Sequence, residues 1–249
     1  MNSSITTYKR FADFYDLYVG GFDSDFDFYK SYCHKTDKIL EVGCGTGRIL
    51  NILLQKGCKV TGVDISQDML NKASAKYHDA ITNGNLVLIN HNLISDMLAG
   101  KFDKVLLTFY TFNYVLDEPV RFMKNIYDSL AENGFLLVDL FYPNTLFDKS
   151  ISGKWVYKEY EMNGCLVGVR DCRTIDNDIE YREQIFMIEG METKIDTKRK
   201  YYSPATLKEI LASAGFQHID FAYNYDYDRF EKMIDEDKLK NNYIIKVKK

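Results

Sequence analysis

Ile39-Leu40-Glu41-Val42-Gly43-Cys44-Gly45-Thr46-Gly47-Arg48 decides how this chain is read. A short apolar run of strand length breaks into glycines at three alternate positions. With no Cβ on one side of such a loop, a ligand can lie against bare backbone. Arg48 to Gln55 then space their apolar side chains helically, so the loop opens a helix whose first N–H groups are free donors. About twenty residues past the first glycine, a second run, Val60-Thr61-Gly62-Val63-Asp64, ends in a carboxylate. That spacing from a glycine turn suits a group that accepts the hydroxyls of a ribose. Asp64 also fits a plain helix-start carboxylate, because Ser66 and Asp68 behind it look like N-terminal caps.

Outward from this pair the pattern alternates. Apolar runs at Lys38–Val42, Lys59–Val63, Leu86–Asn90, Asp103–Leu107 and Gly134–Asp139 are separated by helical periods at Arg48–Gln55, Ser66–Tyr77 and Val120–Ala131. In the last, Val120, Met123, Ile126, Tyr127 and Leu130 share one face, and Asn133-Gly134 reads as its stop. Strand and helix in repetition predict a parallel sheet covered by helices on both faces. After Asp139 the rhythm changes. Trp155–Met162, Cys165–Thr174, Ile179–Ile188 and Thr193–Tyr202 are rich in Tyr, Val and Ile, with Asn163-Gly164 and Glu189-Gly190 between them. Asn-Gly between two such runs is a strong hairpin signal, so this is an antiparallel meander. Ser203-Pro204 starts a further helix that ends at Gly215, and Ile219–Tyr225 and Tyr243–Val247 are strand-like. Phe11–Tyr32, dense in aromatics, predicts one or two helices ahead of the first strand.

At 249 residues and 46% hydrophobic, the chain supports one full-sized core. Its formal charge of −4 supplies no basic field for nucleic acid. No apolar run approaches the length of a membrane span, and the first residues carry no signal-peptide core. The five cysteines lack C-x-x-C spacing and read as reduced thiols of a cytoplasmic protein. The four scattered histidines offer no metal-ligand spacing, so no metal is expected.

The ligand of the glycine loop follows from its departures from a dinucleotide fingerprint. G-x-G-x-x-G places its third glycine where this chain has Arg48; here the extra glycine comes one residue early, at Gly47. Glu41, two residues before the first glycine, repels a pyrophosphate and suits a cation. The stretch E-V-G-C-G-T-G-R, followed by V-D-I-S-Q-D-M-L, F-D-K-V (102–105) and L-A-E-N-G-F-L-L-V-D (130–139), resembles the class I S-adenosylmethionine-dependent methyltransferases. F-A-x-x-Y-D (11–16) and the strand-rich insertion resemble their bacterial small-molecule branch, which includes N,N-dimethyltransferases of deoxy-amino sugars.

The resemblance implies roles. Gly43, Cys44, Gly45 and Gly47 would lie beside the methionine part and ribose of S-adenosylmethionine, with Glu41 near its amino group. Asp64 would hold the ribose, and Ile65 and Met69 would meet the adenine. Asn92, with Leu93 beside it, stands where the family usually has an acid for the adenine amine; an amide oxygen can accept the same hydrogen bond. Thr108 and Phe109 would pass between cofactor and acceptor. Tyr15 resembles a tyrosine capping the cofactor, and equally fits core packing of an amphipathic helix. Methyl transfer to an amine needs little protein chemistry, but a hydroxyl acceptor would need a base. Tyr15 and Asp139 are the candidates, with His91 third, although a strand-end carboxylate such as Asp139 often caps neighbouring backbone.

The implied fold is α/β, a three-layer sandwich around a Rossmann-like, mostly parallel seven-stranded sheet with an antiparallel last strand, plus a β-rich insertion. Residues 1–249 then form a single methyltransferase domain: an N-terminal cap at 1–37, a cofactor-binding core at 38–150, a lid at 151–202, and 203–249 completing the sheet. The partner expected is a small-molecule substrate, with no nucleic acid and no membrane, for a monomer or homodimer. Competing readings are an RNA or protein methyltransferase, which the acidic charge disfavours, and a non-catalytic cofactor-binding module.

Overall fold

The first five apolar runs pair as the alternation requires. Strands joined by a helix must run parallel, because the chain has to return to the same end of the sheet. In the computed structural model, which describes residues 11–16, 19, 21–143, 152–162, 164–223, 225, 230–231 and 242–249, these runs are β1 (Lys38–Val42), β2 (Lys59–Asp64), β3 (Leu86–Asn90), β4 (Phe102–Leu107) and β5 (Leu130–Phe141). They stand in the order β5-β4-β1-β2-β3. The two last strands, β10 (His218–Tyr223) and β11 (Asn242–Lys248), complete the seven-stranded sheet beyond β5. β11 runs antiparallel to both neighbours.

Both faces of the sheet are apolar, as a parallel sheet between helices demands. On one side Leu40, Val105, Leu136, Val138 and Ile245 pack against the helices Pro119–Ser129 and Pro204–Ala214. On the other, Ile39, Val60, Leu106 and Leu137 meet Ile49, Leu50, Ile52 and Leu53 of the helix Arg48–Gln55, together with Phe28 and Tyr29 of the helix Phe26–Tyr32. This is the expected three-layer sandwich. None of the described helices is long and apolar enough to cross a membrane.

The boundary between helix and β5 differs from the sequence reading. The helix ends at Ser129, Leu130 is already extended, and Ala131 through Gly134 belong to β5. Asn133-Gly134 is therefore not a helix stop. A Cβ on Gly134 would stand 3.0–3.1 Å from the carbonyl oxygens of Phe102, Ala131 and Asp103. The glycine serves a close backbone approach where the β4–β5 register shifts.

The insertion is a separate antiparallel sheet, β6 (Trp155–Met162), β7 (Cys165–Asp176), β8 (Ile179–Ile188) and β9 (Met191–Lys200), in meander order. The Asn163 half of its predicted Asn-Gly turn lies outside the described residues, as do Tyr18 and the first ten residues. Buried Asn113 ties both ends of the insertion to the core. Its Nδ2 donates to Phe141 O at 3.1 Å and Lys200 O at 2.6 Å, and its Oδ1 accepts from Phe141 N at 2.9 Å.

An N-terminal helical segment, residues 11–16, fills the space between the insertion and the core. Phe14 stacks on Phe186 with ring centroids 4.5 Å apart. Phe11, Met69, Val167, Val169 and Ile195 close the same apolar cluster. Phe186 is 1% exposed, and truncating such an aromatic costs about 3–5 kcal/mol. Phe186→Ala is expected to lower the melting temperature and speed proteolytic cleavage around residues 11–16. Unchanged cleavage and melting would show that this cluster does not hold the segment in place.

Candidate active site

The chain passes from β1 outward through β2 and β3, then returns to β4 on the opposite side of β1. Open parallel sheets bind ligands at such a reversal, beyond the carboxyl ends of the strands. The glycine loop leaves β1 there, and Thr108 leaves β4. The two are joined: Thr108 Oγ1 donates to Glu41 Oε1 at 3.1 Å. Glu41 is 1% exposed, and its other oxygen, Oε2, has no hydrogen-bond partner. Burial, partly offset by Thr108, raises its carboxyl from 4.5 to about 8. A buried acid with an idle oxygen suits a ligand that brings a cation or a donor.

The loop is built around Asp64. Gly45 N donates to Asp64 Oδ2 and Ser66 N to Asp64 Oδ1, both at 2.8 Å. The carboxylate therefore starts the next helix and clasps the glycine loop at once, and each oxygen keeps a second lone pair. All three loop glycines have positive φ, of 71, 55 and 90°. Their missing side chains serve separate neighbours, unlike the single bare face that the sequence suggests. A Cβ at Gly43 would strike Thr111 at 2.6 Å, and one at Gly47 would strike Tyr77 at 2.4 Å. At Gly45 it would meet the Tyr15 ring at 3.7 Å. Thus Gly45 faces the tyrosine of F-A-x-x-Y-D. Asp16, the last residue of that motif, accepts from Thr46 Oγ1 at 2.5 Å and from Lys76 Nζ at 3.3 Å.

After Thr108 the backbone turns through two successive left-handed residues, Phe109 (φ 49°) and Tyr110 (φ 66°). Non-glycine residues there store strain and need support. Asp139 supplies it, with Oδ1 accepting from Tyr110 N at 2.5 Å. Its Oδ2 accepts from Tyr29 OH at 3.0 Å and Tyr225 OH at 2.8 Å. Burial lifts its carboxyl to about 6 against these donors. Asp139 is thus engaged as a backbone and hydroxyl anchor, the alternative its strand-end position had left open. Tyr15 is pushed above the usual tyrosine range, chiefly by burial, which makes its hydroxyl a donor and a poor base.

Arg48, seen in the sequence only as the residue displacing a third glycine, sits at the centre. Its Nη1 and Nη2 meet Asp25 Oδ1 and Oδ2 at 2.7 and 2.6 Å. The guanidinium lies over Phe22, Phe26 and Phe109, 4.8 Å from the last ring centroid. Asp25 and Tyr29 carry no local motif, and only their burial reveals them. A pocket of about 300 Å³ is lined by Phe109, Val19, Phe22 and one face of the insertion.

The remaining sequence-predicted residues divide between exposed loop positions and the core. Ile65 is 41% exposed after β2, whereas Met69 is buried in the N-terminal cluster. Asn92 uses Oδ1 to accept from Ile94 N at 2.9 Å, and Leu93 is buried beneath it. His91 Nε2 contacts Asp96 O at 2.9 Å in the same loop. Cys44 is buried as a free thiol against Gly62. Among the described residues, no group of His, Cys, Asp and Glu is arranged to hold a metal.

Residues 40–136 match the family model described as a methyltransferase domain. A methyltransferase candidate of Geobacillus sp. (strain WCH70) is 32% identical over 146 residues, covering 54% of this chain and 57% of its own. The dTDP-3-amino-3,4,6-trideoxy-alpha-D-glucopyranose N,N-dimethyltransferase of Streptomyces venezuelae is 25% identical, covering 59% and 65%. The chain thus spans about three fifths of these relatives' lengths. A crystal structure of an S-adenosylmethionine-dependent methyltransferase from Clostridium acetobutylicum superposes with a TM-score of 0.76 at 19% identity, covering 97% and 98% of the two chains. That likeness shows a shared fold. The match to that family model is confined to residues 40–136.

Two outcomes follow for the acids. An unfolded chain releases the Glu41 proton near 4.5, and the folded one near 8. This residue therefore lowers stability progressively as pH rises from about 4.5 to 8, and the loss is complete above that window. A cation set against Oε2 favours the carboxylate and expels the proton. At pH 7, binding of S-adenosylhomocysteine should release a proton, read from the buffer dependence of the calorimetric heat. Glu41→Gln should abolish that release and weaken binding at least tenfold. Equal affinity in both proteins, with no release, would remove Glu41 as the cation's partner. Asp64→Ala should weaken binding by about 2–3 kcal/mol. It should also cost about 1–3 kcal/mol of stability, because Gly45 N and Ser66 N lose their acceptor. Unchanged affinity in a folded protein would mean that the ribose lies elsewhere.

Proposed function

We propose that this chain is an S-adenosylmethionine-dependent methyltransferase acting on a small-molecule amine. The observation carrying the reading is Glu41: a buried carboxylate with an idle oxygen at the reversal of the sheet, beside a glycine loop clasped by Asp64. A phosphate-rich ligand would be repelled there, and a ligand with an ammonium and a sulfonium is accommodated. When bound, S-adenosylmethionine supplies a methyl already made electrophilic by its sulfonium.

The chain's own residues then bind, orient and exclude water. Glu41 accepts from the amino group. Asp64 accepts from the ribose hydroxyls with the lone pairs that Gly45 and Ser66 leave over. Ile65 and Asn92 would meet the adenine, with Met69 and Leu93 packed behind them, and Tyr15 would cap the cofactor beside Gly45. Phe109, held in its strained turn through Tyr110 and Asp139, would stand between the cofactor and the pocket that it lines. The bound group would supply that methyl to an amine arriving unprotonated, and these residues would hold the two in line and keep water out. Alignment in a dry cleft would supply most of the rate, and an amine that arrives unprotonated needs no general base. The named activity of the Streptomyces venezuelae relative supports N-methylation. The acidic chain and the small volume of the pocket count against RNA as acceptor, and a pocket lined by Phe109 counts against a purely binding module. We place the protein in the cytoplasm.

Methyl-labelled cofactor incubated with a cell extract is expected to label a small metabolite, identified by mass spectrometry. Replacing residues 152–200 with a short Gly-rich turn should abolish that labelling and leave cofactor affinity within about tenfold, or 1.4 kcal/mol, provided the variant melts cooperatively. Undiminished transfer by the folded variant would show that the insertion is not the acceptor lid. Label found in RNA or protein would overturn the small-molecule reading.

A further inference from the structure

The pocket under the insertion carries a charge opposite to that of the chain. The protein has a formal net charge of −4, yet the pocket wall holds Lys158, Arg173 and Arg182 against one carboxylate, Asp171. Arg182 is committed to that acid, its Nε and Nη2 each meeting an Asp171 oxygen at 2.7 Å. Arg173 shares the same acid through Nη2 at 3.3 Å, and Lys158 is exposed. Among the described lining residues, two guanidiniums thus divide one carboxylate, and three cations face one anion. Although burial works against it, the Arg182 hydrogen bonds and charge hold Asp171 below the usual carboxylate range. The acid stays ionised, and the excess of cations over anions is the lasting charge of the wall.

A second, independent observation comes from Gln184 in the same wall. It is 1% exposed, and its Nε2 has no hydrogen-bond partner. A buried amide N–H without an acceptor leaves its desolvation uncompensated, which a ligand oxygen would relieve. Opposite stand Val19, Phe22 and Phe109, which offer apolar surface and no acceptor side chain. The volume, about 300 Å³, falls at the small end of the roughly 300–1,000 Å³ typical of ligand sites.

We propose that this pocket takes its acceptor by an oxyanion, a phosphoryl or carboxylate group set against Arg173, Lys158 and Gln184 Nε2, with the amine directed toward Phe109. The proposal rests on the methyltransferase reading, which makes this pocket the acceptor's. It divides the cleft electrostatically, with acids Glu41 and Asp64 on the cofactor side and a cationic wall on the lid side. The same wall disfavours an ammonium nearby, so it helps the acceptor amine to stand as the free base that attack requires.

The test needs no knowledge of the acceptor. The full chain, saturated with S-adenosylhomocysteine, is titrated at matched ionic strength with inorganic phosphate and pyrophosphate in one arm, and with acetate and succinate in the other. Binding is read by calorimetry and by thermal shift. At least one arm is expected to bind and raise the melting temperature, and the arm that responds more strongly identifies the phosphoryl or the carboxylate. Arg173→Gln and Gln184→Glu should each weaken that binding at least tenfold, with S-adenosylhomocysteine affinity changed less than about twofold. Lys158→Gln, at an exposed position, gives a third reading should a buried variant fail to fold. No binding in either arm overturns the proposal, as does binding that folded variants leave intact. Failure of S-adenosylhomocysteine itself to bind would instead overturn the cofactor reading, so the two failures are distinct.

Discussion

The Arg48 guanidinium, held by Asp25 and flanked by Phe22, Phe26 and Phe109, is the contact on which the cleft depends. It joins three stretches far apart in sequence: the N-terminal region, the helix that leaves the glycine loop, and the strained turn after β4. Removing one partner of such a buried pair strands the other charge, which costs more than the pair itself contributes. Arginine suits the place because its flat, delocalised cation makes two parallel hydrogen bonds at its edge and lies against rings with its face. The residue that excludes the dinucleotide motif is therefore also the one that assembles the walls around its replacement.

Around that cation the fold concentrates negative charge. Asp25, Glu41, Asp64 and Asp139 come together at the carboxyl end of the sheet, and each is accommodated differently. Asp25 has a full ion pair. Asp64 has two backbone N–H groups, and Asp139 has a backbone N–H and two tyrosine hydroxyls. Glu41 has one hydroxyl and an unmet oxygen. The ranking matters because an acid that is fully satisfied by the protein has little left to offer a ligand. On that criterion Glu41 stands out from its neighbours.

Much of this was legible in advance. The strands, the helices Arg48–Gln55 and Gln67–Lys76, and the antiparallel insertion follow from periodicity, since one buried face leaves a period of two or 3.6 in the chain. The helix–strand boundary at Ser129 was misread because Asn133-Gly134 imitates a helix stop, while its true requirement, three carbonyl oxygens crowding Gly134, comes from a distant strand. Glu41, Asp64 and Thr108 were visible because they sit next to a glycine turn or a strand end. Asp25, Tyr29, Asn113 and Gln184 were not, because their partners lie on other elements and no local spacing encodes such contacts. Asp16 was quoted within a motif, but only the structure shows that it accepts from Thr46.

The position of β11 has a consequence for how the molecule comes to exist. It lies between β5 and β10, antiparallel to both. Until residues 242–248 arrive, β5 ends the sheet with an open row of backbone donors and acceptors, and among the described residues β10 is met outside β11 by the Phe221–Glu231 bridge. The parallel half, β4-β1-β2-β3, can assemble from segments already in hand. The other half waits for a strand made about a hundred residues after the one it must join, a long loop to close before any contact is gained. During synthesis the glycine loop can therefore take shape while an apolar edge remains uncovered on the opposite flank, the kind of surface that chaperones meet on nascent chains. Tyr243, fully buried with its hydroxyl bonded to Tyr202 O at 2.7 Å, marks the moment when that exposure ends.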